Sequence, residues 1–71
     1  MKDYCFIAIV IIGSTAFPFA VHTSSDCDDV DLVRRYVEGE LFIHYGFEKV
    51  RSFECCDFET YWYYPCRINL D

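Results

Sequence analysis

The chain has 71 residues, 54% of them hydrophobic and 20% aromatic, with twelve acids against six bases and a formal net charge of −6. Such a balance is repelled by nucleic acid and by anionic lipid, which excludes a cationic membrane-lytic peptide and a binder that tracks a phosphate backbone. The length suffices for one small domain, with no internal repeat or low-complexity tract.

The first twenty residues, MKDYCFIAIVIIGSTAFPFA, carry a lysine near the start, an apolar run from Cys5 to Ile12 and a small-residue stretch from Gly13 to Ala16. That layout predicts a secretory signal peptide over residues 1–20, cut somewhere between Ala16 and Ser25. The run is far shorter than the roughly 18 to 20 residues that cross a bilayer. The alternative reading is a buried N-terminal helix or strand. With the segment removed, residues 21–71 form a secreted, extracellular peptide whose five bases and eleven acids keep the net charge at −6.

Val21 to Ser25 is a polar lead without periodicity. In the next stretch, Asp28, Asp29 and Asp31 precede Arg34 and Arg35, and Val30, Val33 and Val37 recur at helical spacing with Leu32 and Tyr36 on the flank. An amphipathic helix is expected from Asp28 to about Glu38, interrupted or ended by Gly39. LFIHYGFEKVRSF, from Leu41 to Phe53, fits a helix interrupted at Gly46; its first five residues, LFIHY, also fit a short strand, with the helix favoured. From Glu54 onward, Cys55, Phe58, Trp62 and Cys66 fall on one helical face, and Pro65 should loosen that helix by Tyr63 or Tyr64.

About fifty residues seldom build a sufficient core unaided, and four cysteines remain after the expected cut: Cys27, Cys55, Cys56 and Cys66. A bond between the neighbours Cys55 and Cys56 is strained, so two pairings stay open: Cys27–Cys55 with Cys56–Cys66, or Cys27–Cys56 with Cys55–Cys66. Either would add about 3 kcal/mol per bridge on chain-entropy grounds. The expected fold is small, disulfide-rich and mainly α-helical, two to three short helices stapled by two disulfides.

Several chemistries fail on spacing. An EF-hand loop begun at Asp26 would need glycine and glutamate where Asp31 and Val37 stand. His22 and His44 have no Cys-x-x-Cys partner for zinc, and cysteines held in disulfides are not nucleophiles. No cofactor, metal or catalytic group is implied, and the chain reads as a non-enzyme. The run Tyr61, Trp62, Tyr63, Tyr64 cannot turn wholly inward on a helix. Phe58 and Trp62 are expected toward the core, and Tyr61, Tyr63 and Tyr64 form the candidate binding face, aromatic side chains being typical of interfaces with proteins and with membranes.

The region after the expected cut resembles the family 3 scoloptoxins of centipede venom, whose helical scaffold is related to arthropod ion-transport and hyperglycemic hormones. The similar features are Cys27 after a short lead, Arg34 and Arg35 on a helix, Gly39, the motif Phe53-Glu54-Cys55-Cys56, Cys66 ten residues on, and the tail RINLD. Those peptides carry six cysteines, the second and third corresponding to Glu38 and Leu41 here. The resemblance implies the pairing Cys27–Cys56 with Cys55–Cys66. It also implies a monomeric venom neurotoxin acting on a membrane receptor of another organism, most directly a voltage-gated ion channel that it impairs. A hormone-like ligand is the alternative, and a protease inhibitor a more distant one.

Overall fold

The computed structural model describes all 71 residues as a four-stranded sheet of order β3-β1-β2-β4 with one helix on each face. β1 is Lys2–Ile12 and β2 is Thr15–Ser25, an antiparallel hairpin in register from Lys2 opposite Ser25 to Ile12 opposite Thr15. Two residues, Gly13 and Ser14, make the turn, and Gly13 adopts φ 66°. Positive φ at the first central residue suits a two-residue turn whose twist matches the strands. β1 lies between β2 and β3, and its β-branched residues serve both faces. A near-continuous apolar run is what such a central strand requires.

Strand alternation sorts the sequence into two faces. Phe6, Ala8 and Val10 of β1 join Val21 of β2, and α1 (Val30–Tyr45) covers them with Val33, Val37 and Leu41. The Asp29 side chain caps α1 by accepting the Asp31 N–H at 3.0 Å, and Gly46, at φ 68°, ends it. The helix runs through Gly39. Interior glycine costs a helix about 1 kcal/mol, whereas burying Leu41, the next residue on the inner stripe, stabilises by about 1.5–3 kcal/mol.

β3 (Val50–Cys56) pairs antiparallel with β1, and its register slips between Ile9 and Val10, leaving Arg51 as the extra residue of a bulge. The ring of Phe53 meets Phe6 edge-on at 4.9 Å. α2 (Phe58–Tyr63) then crosses the opposite face, and β4 (Arg67–Asn69) pairs parallel with β2 and adds Ile68 to the α1-side core. Ala20 donates its N–H to the Cys66 carbonyl at 2.9 Å, so alternate residues of β2 turn their amides outward. Pro18 shares that orientation, and its missing N–H falls on the open edge where no bond to β1 is lost.

This architecture replaces the expected mainly α-helical, disulfide-stapled fold. All five cysteines are free thiols. The sheet sets Cys27 against the α1-side core and Cys56 in the α2-side cluster, which separates the pair Cys27–Cys56, while Cys55, on the other face of β3 from Cys56, is exposed and unbonded. A buried sheet supplies the cohesion that cross-links were expected to supply. The residues read as a signal segment are here β1 and the first part of β2, so a chain cut between Ala16 and Ser25 would lose the central strand. The segment after Gly46, expected to resume a helix, becomes β3, and Cys55 lies on that strand, not on a helix with Phe58 and Trp62.

Candidate functional site: the aromatic helix and the row beneath it

α2 is short, and its ends are fixed by side chains. Asp57 accepts the Thr60 N–H at 2.7 Å at the start, and those bonds to Thr60 hold its carboxyl below the usual range. Tyr64, the residue before Pro65, takes an extended conformation and ends the helix. Arg67 donates from Nη1 to the Tyr64 carbonyl at 2.6 Å and to the Trp62 carbonyl at 3.3 Å, placing a cation at the helix C-terminus. Its guanidinium carbon also lies 5.1 Å from the centre of the Trp62 ring.

One side chain sets which way this helix faces. Tyr61 is 4% exposed and seats on Cys5 and Ala20, with Tyr64 packed at the margin of the same cluster. Burial pushes the Tyr61 phenol above its ordinary pKa. With Tyr61 turned inward, Trp62 is 59% and Tyr63 89% exposed, and Phe58 is partly exposed as well. Of the three tyrosines expected to bind, Tyr63 therefore stands free, Tyr61 lies in the core and Tyr64 is half-buried. Trp62, expected inward, is on the surface. Asp57, Glu59, Thr60 and Tyr63 line a shallow cleft of about 330 Å³, where two carboxylates meet an uncovered phenol ring.

Beneath α2, a row of Cys56, Cys5, His22 and Asn69 crosses all four strands in register. His22 is buried, with the Phe58 ring 5.1 Å away. Its Nε2 lies 3.0 Å from Asp3 Oδ1, and its Nδ1 lies 3.1 Å from Asn69 Oδ1 and 3.6 Å from Asp71 Oδ2. Burial pulls the imidazole pKa down, but the bonds to Asp3 and Asn69 and the nearby carboxylate charges outweigh it, and the net shift is upward. Hydrogen bonds from His22 and Ser24 lower Asp3, and bonds from Ser24 lower Asp71.

The row does not assemble a nucleophile. Ser24 Oγ lies 2.6 Å from Asp71 Oδ2 and 3.1 Å from Asp3 Oδ1, with its one proton held between these carboxylates, and His22 spends its nitrogens on Asp3 and Asn69, so no serine–histidine pair forms. Burial pushes the Cys5 thiol up to about 11, far from a thiolate at neutral pH. These residues act as a polar clasp that joins β1, β2 and the C-terminal segment under the aromatic helix. Sequence reasoning did not find that clasp, since residues 3, 22, 24, 69 and 71 meet only when the first strand stays in the fold.

Comparison with protein-family models, with curated proteins and with solved structures finds no match to this chain.

Proposed function

We propose that this chain is a non-catalytic binding protein whose α2 surface engages a cationic, arginine-bearing segment of a partner protein. The observation that carries this reading is the outward display of Tyr63 and Trp62 beside the carboxylates of Asp57 and Glu59, fixed in place by the inward anchor Tyr61. Arg67 over Trp62 illustrates within the chain how a guanidinium uses this surface. Tyr63 and the cleft offer a second aromatic face with compensating negative charge. A net charge of −6 favours the same class of partner through long-range attraction.

The binding form is the full chain, residues 1–20 included, because Cys5 and Ala20 are the seat of Tyr61. A toxin that modulates a voltage-gated channel of another organism is the narrowest version of this proposal: acids on α2 would meet the sensor's arginines, and the aromatics would sit at the protein–lipid boundary. Without the disulfide scaffold, that version rests on the surface alone.

Trp62 is the only tryptophan, which makes it a built-in probe. Titration with a synthetic arginine-rich peptide should change Trp62 fluorescence in a saturable, salt-sensitive way, and Tyr63→Ala should weaken binding by roughly three- to thirty-fold. Glu59→Gln should weaken it less, and a glutamate-rich peptide should give no response. If the arginine-rich peptide leaves the fluorescence unchanged to millimolar concentration, a cationic partner is ruled out.

A further inference from the structure

Cys5 of β1 and Cys56 of β3 are directly opposite each other on neighbouring antiparallel strands. Residues so placed point to the same face, and both pack in the small cluster under Tyr61. Opposite positions of an antiparallel pair have Cα atoms about 4.5 or 5.5 Å apart, both inside the span of about 4.4–6.8 Å that a disulfide bridges. No other two cysteines share such a register: Cys55 stands opposite Phe6 on the other face, Cys27 precedes α1, and Cys66 precedes β4.

We propose that Cys5 and Cys56 form a redox modification site, a thiol pair that a small-molecule disulfide such as oxidised glutathione converts to a cross-strand disulfide. Cys56, the less buried of the two, is the entry sulfur. As a thiolate it attacks one sulfur of glutathione disulfide and expels one glutathione thiolate, leaving a mixed disulfide. Cys5, giving up its proton, then attacks the Cys56 sulfur and expels the second glutathione. The two cysteine protons end on two glutathione thiols, the protein pair is oxidised by two electrons, and glutathione disulfide is reduced by two. Burial raises both thiols, Cys5 to about 11, so exchange is slow at neutral pH and quickens as pH rises.

The bond would pin edge strand β3 to β1 directly beneath α2 and so fix the floor on which Tyr61 rests. This site is independent of what α2 binds, and it requires only that residues 1–20 remain in the chain.

The test incubates the full chain with oxidised glutathione at about pH 8.5, near the ordinary thiol pKa. Remaining thiols are blocked, and the unreduced protein is cut on the N-terminal side of aspartate. That cleavage separates Cys5 in peptide 3–25 from Cys27 in 26–27, and Cys66 in 57–70 from Cys55 and Cys56 in 31–56. The expected product joins 3–25 to 31–56. It should persist in Cys55→Ser, a change at an exposed position, and vanish in Cys56→Ser. Recovery of Cys5 as a blocked thiol or a glutathione adduct overturns the proposal. So does a join from 3–25 to 26–27 or 57–70, or loss of the join in Cys55→Ser.

Discussion

The two faces of the sheet are built to different standards. On one, a sixteen-residue helix lays Val33, Val37 and Leu41 over Phe6, Ala8, Val10 and Val21, and every one of these side chains is nearly or wholly removed from solvent. On the other, a six-residue helix covers only one end with Tyr61, rests on two thiols and a histidine, and leaves Trp62 and Tyr63 in water. The first face holds the domain together. The second face trades apolar cover for chemistry and display, and it is the place to look for what the protein does.

That contrast can be broken in order of size. Phe6→Ala, at the centre of the α1-side core, should cost about 3–5 kcal/mol in chemical denaturation, enough to unfold much of a domain this small. Tyr61→Ala should cost less, about 2 kcal/mol, because a six-residue helix can settle toward the sheet and close part of the void. If Tyr61→Ala proves the more damaging of the two, the ranking of the faces is reversed.

A third effect is read from pH. The raised His22 contributes stability that is present below its unfolded pKa and lost as pH rises through its folded value. The lowered Asp3 and Asp71 contribute stability that is present above ordinary carboxylate values and lost as pH falls through their folded values. The clasp should therefore be strongest between roughly pH 4 and 6.5. Melting temperature against pH should decline above that window, and His22→Gln should flatten the upper limb. An unchanged upper limb in His22→Gln would place the titration elsewhere. The smallest expected effect is Trp62→Ala, within about 0.5 kcal/mol of the parent, as for other surface positions. A loss of several kcal/mol would put Trp62 back in the core, where the sequence pattern alone had it.

The sequence made the inner stripe of α1 legible at Val33 and Val37, because a helical period over a capped segment leaves little choice of face. It understated the helix at Gly39, where a local cost was outweighed by the burial of Leu41 farther along. Pro65 correctly limited α2, which ends at Tyr63. That helix faces otherwise than the stripe Cys55, Phe58, Trp62 implies, because Cys55 lies on β3 and follows strand alternation. Asp57, three residues before the Thr60 amide it caps, was the local signal for a start at Phe58.

The N-terminal segment supports two readings, a signal segment and a strand, and in the full chain it is a strand. An apolar run of eight residues is common to a signal segment and to a central strand, and periodicity does not separate them. In the full chain the run takes its place through the cross-strand register of Phe6 with Val21 and Cys55. Once that strand is in place, the clasp of Asp3, His22, Ser24 and Asp71 follows, as does the floor under Tyr61.

The central claim is that residues 2–12 are the middle strand of the folded protein. Amide hydrogen exchange on the full chain measures it directly, since β1 is flanked on both sides and should open only with the whole domain. The account predicts that Phe6, Ala8 and Val10 are among the slowest amides to exchange, as slow as those of Val37 and Leu41. Rapid exchange across residues 2–12, with protection confined to the helices, would contradict it.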